Sequence, residues 1–140
     1  MGRILAIDYG KKRTGIAVTD TLQIIANGLA TIPPHELEKF LADYTQKEDV
    51  ELFVDGLPTQ TNGQPSENQA RVKQFVEKLK NKIPNIPTIF HDERFTSVLA
   101  HQAIIESGIK KKKRQDKGLV DEISATIILQ SYMEQKRLGF

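Results

Sequence analysis

The first third of the chain alternates short apolar runs with turn-forming residues. Residues 4–7 are almost wholly apolar, which is typical of a central strand covered on both faces. A tight connection through residues 9–13 leads to a second run at 14–19, and a third extended segment, about 24–32, stops at Pro33 and Pro34. Three strands joined by short links predict an antiparallel meander.

The hydrophobic spacing then changes from that of a strand to that of a helix. Pro34 opens a segment with acids in its first turn and apolar residues at helical intervals, namely Leu37, Phe40, Leu41 and Tyr44. Residues 51–57 predict a fourth strand, which runs into a Gly/Pro-punctuated loop. Residues 59–65, rich in Thr, Gln, Asn and Gly, predict that this loop is exposed.

The second half of the chain repeats the alternation of helix and strand. Ser66 offers an N-cap for a helix with Val72, Phe75, Val76 and Leu79 facing inward. Prolines stop it before a short strand at 88–91. Thr96 or Ser97 can cap a further helix through about residue 107, and residues 119–137 predict the last helix.

This order of elements defines the expected fold class. A meander extended by parallel strands with helical crossovers is a mixed-sheet α/β layered fold, with helices on both faces of the sheet. The 140 residues fit one domain spanning 1–140, long enough to bury a core without covalent staples.

Composition excludes several classes of protein. The absence of cysteine rules out disulfides, zinc-thiolate sites and thiol nucleophiles. There is no apolar stretch for a signal peptide or membrane span, so a cytoplasmic protein is expected. The chain also lacks a Gly-x-x-x-x-Gly-Lys-Ser/Thr phosphate loop and a serine nucleophile elbow.

The two halves of the chain differ in charge. Residues 1–70 carry 6 Lys/Arg against 10 Asp/Glu, and residues 71–140 carry 14 against 8. Much of the excess is a compact basic cluster, which suits a polyphosphate partner; its members are Lys110, Lys111, Lys112, Lys113, Arg114 and Lys117. The alternative is a solvated loop with no partner.

Three acidic positions stand where strands end or a helix begins. Asp8 closes the first strand, Glu93 follows the strand at 88–91, and Asp121 lies in the first turn of the last helix. Turn chemistry is the alternative for Asp8, and helix-dipole complementarity is the alternative for Asp121. Taken together, the three carboxylates predict a cage for Mg²⁺ or Mn²⁺, with two ions serving phosphodiester hydrolysis.

Basic residues next to these acids are candidates for phosphate contact. Lys12 and Arg13 follow the first acid and could contact phosphate or neutralise the acids, or they could be solvated hairpin residues. Arg94 could bind phosphate or form a salt bridge. Of the three histidines only His91 adjoins the proposed site, and none has metal-ligand spacing.

Four motifs in order make the chain resemble the YqgF family, also called RuvX-like or Holliday-junction-resolvase-like, which is associated with pre-16S rRNA processing. Residues 8–15 are similar to the family's opening motif and Gly56-Leu57-Pro58 to its middle motif. Residues 92–97 match the third, and Lys117 through Asp121 to Ala125, with residues 128–130, match the last. The resemblance covers essentially the whole chain.

The resemblance implies an RNase H-like fold and implies that Asp8, Glu93 and Asp121 bind the metal. This chain departs from the family pattern at two positions. Asp55 stands before Gly-Leu-Pro where the family usually has an apolar residue, and Glu122 follows the last acid where an uncharged or basic residue is usual. Neither departure removes a proposed ligand, and Glu122 could add a ligand or substitute for one.

The leading hypothesis is therefore a metal-dependent nuclease for rRNA precursor, with structured RNA and the ribosomal particle as partners. The four-way DNA junction is the second candidate substrate. The alternative from a different class is a non-catalytic nucleic-acid-binding factor in ribosome assembly. The opening Asp-x-Gly also resembles actin-like ATPases, but these hold nucleotide between two such domains. Monomer and dimer both stay open.

Overall fold

Five strands form one mixed sheet in a computed structural model, which describes residues 2–57, 68–92 and 117–137. The strands lie in the order β3-β2-β1-β4-β5, and β1 is therefore the central strand. β1 pairs antiparallel with β2 and parallel with β4, β2 pairs antiparallel with β3, and β4 pairs parallel with β5. The strands are β1 Arg3–Asp8, β2 Thr14–Thr19, β3 Ala26–Ile32, β4 Val50–Leu57 and β5 Thr88–Asp92.

Helices cover both faces of this sheet. A 3₁₀ helix, Pro34–Glu36, precedes α1, Leu37–Lys47; α2 is Gln69–Lys82 and α3 is Lys117–Arg137. One core packs α1 and α2 against Leu5, Ile7 and Phe53. The second core packs α3 against the opposite face, where its Ala125, Ile128 and Leu129 meet Ile4, Ala6 and Val54. The predicted fold, with a meander extended by parallel strands, is confirmed.

The alternation of side chains along β1 determines which face carries Asp8. Successive residues of a strand point to opposite faces. Leu5 and Ile7 belong to the core under α1 and α2, while Ile4 and Ala6 belong to the core under α3. Asp8 continues the second series, so its carboxylate lies on the α3 side of the sheet.

The hairpin between β2 and β3 differs from the predicted extended segment at 24–32. β3 begins only at Ala26, because the Asp20 carboxylate accepts backbone N–H bonds from Leu22, Ile24 and Ile25 at 3.1, 2.8 and 2.9 Å. An acid that satisfies three turn amides holds the chain out of the ladder. The three apolar side chains that follow Asp20 are exposed.

The helix boundaries differ in detail from the predicted ones. The predicted N-cap Ser66 and the predicted helix after Thr96 or Ser97 lie outside the described residues. α2 begins at Gln69 after Asn68, which makes no side-chain cap hydrogen bond. α3 begins at Lys117, two residues before its predicted start. Of the helices in the described ranges, none has the length and apolar character needed to cross a bilayer.

Candidate active site

Asp8 and Asp121 lie together although the sequence separates them by most of its length. In the sheet register Asp8 pairs with Gly15 of β2. A Cβ atom at Gly15 would collide with the backbone carbonyl oxygen of Asp121, so the first turns of α3 rest directly on that glycine. Because cross-strand partners share one face of a sheet, Asp8 is brought beside Asp121.

The pKa of the Asp8 carboxyl reflects both its burial and the nearby charge of Asp121. Burial, and secondarily the charge of Asp121, raise the pKa of Asp8 to about 6. Burial disfavours the charged form of a carboxyl, and a second carboxylate nearby adds like-charge repulsion. A carboxyl whose pKa is shifted by burial and by one specific charged neighbour is a candidate for function.

Arg13 neutralises part of this charge. Its Nε donates a hydrogen bond to Oδ2 of Asp121 at 2.6 Å. The backbone of the β1–β2 loop is held close here, because a Cβ atom at Gly10 would collide with the carbonyl oxygen of Arg13. Of the alternatives open for Arg13, namely phosphate contact, neutralisation of the acids and a solvated hairpin residue, the structure shows an ion pair with one acid, Asp121.

Tyr9 anchors the end of β1 to α2. Its ring stacks on Phe75 of α2 with centroids 4.9 Å apart, and its carbonyl oxygen accepts a 2.8 Å hydrogen bond from Asn68 Nδ2. Stacked aromatic pairs and a satisfied buried carbonyl both restrict local motion. The strand end that carries Asp8 is therefore held from the α2 side. Sequence reasoning missed this role of Asn68, since no local signal links it to Tyr9.

Several predicted site residues remain predictions. The third acid, Glu93, lies outside the described residues. So do Arg94, Lys112, Lys113 and Arg114. Lys117 is the first residue of α3, but its side chain is not among those described. Lys12 is described, and it is exposed beside Arg13.

His91 and Glu122 make their described contacts away from the two acids. His91 Nε2 lies 2.9 Å from Oγ of Ser131, and burial lowers the pKa of the imidazole. Ser131 is ten residues beyond Asp121 on α3, about 15 Å along a helix. Glu122 packs over β3, where its Cβ lies 3.3 Å from the position a Cβ on Gly28 would take. Neither contact is with Asp8 or Asp121.

Asp55 is a second perturbed acid, on the other face of the sheet. It pairs with Ile7 in register, is fully buried, and neither carboxyl oxygen has a hydrogen-bond partner among the described residues. Burial, and then the charge of Asp8, raise its pKa well above the usual range. The sequence drew attention to Asp55 only as an acid directly before Gly-Leu-Pro, and it predicted no role for this residue.

The donor set fits a hard divalent cation. In the described ranges no three His, Cys, Asp or Glu side chains form a metal-binding group. Two carboxylates are nevertheless close enough for one to raise the pKa of the other. A divalent cation between such a pair would relieve their repulsion, and carboxylate oxygens are the ligands that Mg²⁺ and Mn²⁺ prefer.

The sheet order, the helices on both faces and Asp8 at the end of β1 beside Asp121 of α3 define the RNase H-like class. Two solved structures of Thermus thermophilus RuvC share this fold. The one titled as a complex with Holliday junction substrate has a TM-score of 0.65 at 12% identity, covering 99% of this chain and 97% of that one. The other has a TM-score of 0.53 at 12% identity, with 98% and 96% covered.

The chain belongs to the RuvX family, described as Holliday junction resolvase, whose pattern matches residues 2–135. Curated relatives bear the name "Putative pre-16S rRNA nuclease". A protein of Parabacteroides distasonis is 65% identical over 137 residues, with 98% of each chain covered. One of Bacteroides fragilis is 61% identical over 138 residues, with 99% of this chain and 100% of the relative covered. The predicted family is confirmed.

Proposed function

We propose that this protein is a nuclease that hydrolyses phosphodiester bonds in the 5′ maturation of 16S rRNA precursor, using Mg²⁺ or Mn²⁺. The observation that carries the proposal is the convergence of Asp8 and Asp121, where burial, and secondarily the charge of Asp121, raises the pKa of Asp8 to about 6. Membership of a nuclease family and the names of its curated relatives supply the substrate class.

Asp8, Asp121 and Glu93 would hold two metal ions. When bound, such ions supply an activated water nucleophile and stabilise the leaving oxygen of the phosphodiester. The protein contributes an arrangement fixed before substrate arrives. The β1 end is tied to α2 through Tyr9, and the first turns of α3 rest on Gly15.

Basic residues would bind the nucleic acid backbone. We assign this role to Lys12 and Arg13 beside the acids, and to Arg94, Lys112, Lys113, Arg114 and Lys117 from the second half of the chain. Contacts of this kind release counterions, so affinity should fall steeply as salt rises. We further propose that residues 1–140 act as one domain, in the cytoplasm and on the ribosomal particle. A monomer suffices for RNA trimming.

Cleavage of four-way DNA junctions is the second candidate function. The family description as Holliday junction resolvase favours it. The fold shared with RuvC agrees with either substrate, since fold alone does not choose one. Resolution of a junction requires two cuts and hence two active sites. This candidate therefore requires a dimer, which RNA trimming does not.

The deciding experiment compares cleavage by wild type, Asp8→Asn and Asp43→Asn. Asp43 is an exposed acid on α1, so its change controls for charge loss away from the site. Each protein is incubated with Mg²⁺ or Mn²⁺ on 16S rRNA precursor, unstructured RNA and a four-way junction, and the cuts are mapped. We expect Asp8→Asn to lose cleavage by at least about 10²-fold while still binding RNA, with Asp43→Asn unchanged.

Three other outcomes would change the assignment. Cleavage by Asp8→Asn at the wild-type rate would refute the metal site. Cuts confined to the junction would select the resolvase. Tight RNA binding by the wild type without any cleavage would select the non-catalytic assembly factor.

A further inference from the structure

The ion pair between Arg13 and Asp121 engages one of the two carboxylate oxygens that Asp121 could offer a metal. Arg13 Nε lies 2.6 Å from Asp121 Oδ2, and the two side chains are 39% and 19% exposed. A guanidinium and a divalent cation on the same carboxylate would repel each other at close range. Arg13 and the metal therefore compete for Asp121.

The backbones on both sides of this pair are fixed, but the arginine side chain is not. Gly10 holds the carbonyl of Arg13 at close approach, and Gly15 does the same for the carbonyl of Asp121. Arg13 is also partly exposed, so its guanidinium can leave the carboxylate by rotation about side-chain bonds. The pair can open without moving the loop or α3.

Asp8 has a different electrostatic environment. Among the described residues no cation pairs with Asp8, whose pKa is raised by burial and by Asp121. Within the described part of the chain, the positive charge at the site is thus placed on Asp121 alone. An acid pair with one bare and one neutralised member repels less strongly than two bare carboxylates, and it is also less attractive to a metal ion.

We propose that Arg13 is an exchangeable counter-ion: it neutralises Asp121 in the metal-free protein and is released toward substrate phosphate when a divalent ion takes its place. This inference rests on the proposed metal site. It makes Arg13 a positioning residue with two partners. It also couples the two ligands, because metal frees a phosphate-binding group and bound phosphate holds that group away from Asp121; such coupling is reciprocal.

The test measures Mn²⁺ binding in the absence of nucleic acid, with electron paramagnetic resonance as the readout. Arg13→Gln removes the competing cation. We expect Mn²⁺ affinity to rise by up to about fivefold, because a partly exposed ion pair contributes free energy of that size. Lys11→Gln removes the same charge from the same exposed loop without breaking the pair, and should change affinity less than about twofold. Arg13→Lys should restore most of the competition.

A second measurement uses the unaltered protein. In a ¹H–¹⁵N spectrum the Nε–H signal of Arg13 should move as Mg²⁺ saturates the site, because the hydrogen bond to Asp121 is lost. A signal that stays in place at saturation, or equal Mn²⁺ affinities for Arg13→Gln and Lys11→Gln, would overturn the exchange and leave the nuclease proposal standing. If neither wild type nor Arg13→Gln binds Mn²⁺, the metal site and the exchange are both wrong.

Discussion

Gly15 of β2 lies directly beneath the backbone carbonyl of Asp121, closer than any side chain would allow. This contact positions the first turns of α3 against the strand that neighbours Asp8. The placement of one acid relative to the other therefore depends on a residue that carries no functional group. Gly15 is a structural requirement of the site.

We expect Gly15→Ala to displace the start of α3 from the sheet. The added methyl group would meet backbone rather than a flexible side chain, so relief requires a main-chain shift costing about 1 to 3 kcal/mol. Urea denaturation should show this loss, and cleavage should fall because Asp121 moves with the helix.

Gly28→Ala is the matched control for that change. Its Cβ would lie 3.3 Å from the Cβ of Glu122, a tight contact on the same helix but away from Asp8. We expect a smaller loss of stability and near-normal cleavage. If both variants lose cleavage equally, the role assigned to Gly15 is wrong.

The raised pKa of Asp8 makes metal binding depend on pH. Below about 6 the carboxyl holds a proton that the metal must displace, so Mn²⁺ affinity should fall about tenfold for each pH unit below that value and level off above it. Binding measured from pH 5 to 7.5 checks this.

Carboxyl ¹³C NMR of the metal-free protein gives the titration of Asp8 directly. The midpoint should lie at about 6 in wild type. It should be lower in Asp121→Asn, because the repelling charge is gone while burial remains. A wild-type midpoint near 4, the ordinary aspartate value, would contradict the burial of Asp8, and a midpoint that Asp121→Asn leaves unchanged would contradict the convergence of the two acids.

Much of the fold was predictable because local signals agree with the final arrangement. The apolar run at 4–7 is the central strand, and the change from strand to helical spacing at Leu37 marks α1. Two of the three predicted acids, Asp8 and Asp121, were also found to converge. The spacing of apolar residues indicates which side chains are buried. These strands and helices were predictable because each has a buried face.

What the sequence could not predict depends on contacts between distant residues. The bond from Asn68 to the Tyr9 carbonyl joins residues 59 apart, and the Arg13–Asp121 pair joins residues 108 apart. Residues 24 and 25 are predicted as strand because they are apolar. Their backbone amides instead donate hydrogen bonds to the Asp20 carboxylate, which holds them in a turn. The strand propensity of apolar residues does not show that a side-chain acceptor will bind their backbone amides instead.

The buried carboxyl of Asp55 should make the protein less stable as pH rises. Its pKa in the folded state is well above that of an unfolded aspartate, about 3.9. Below that value both states are protonated and the penalty is absent. As pH rises the unfolded chain ionises first, so the free energy of unfolding falls until the folded pKa is passed.

Substitution of Asp55 isolates this contribution. Asp55→Asn should remove that part of the pH dependence, whereas Asp43→Asn, at an exposed position on α1, should keep it. Asp55→Val removes the two oxygens that have no hydrogen-bond partner among the described residues, and we expect it to stabilise the protein at pH 7 by about 1 to 3 kcal/mol. Urea midpoints from pH 4 to 8 measure both effects. A folded Asp55→Val that is less stable than wild type at pH 7 would mean that the carboxyl has a stabilising partner in solution.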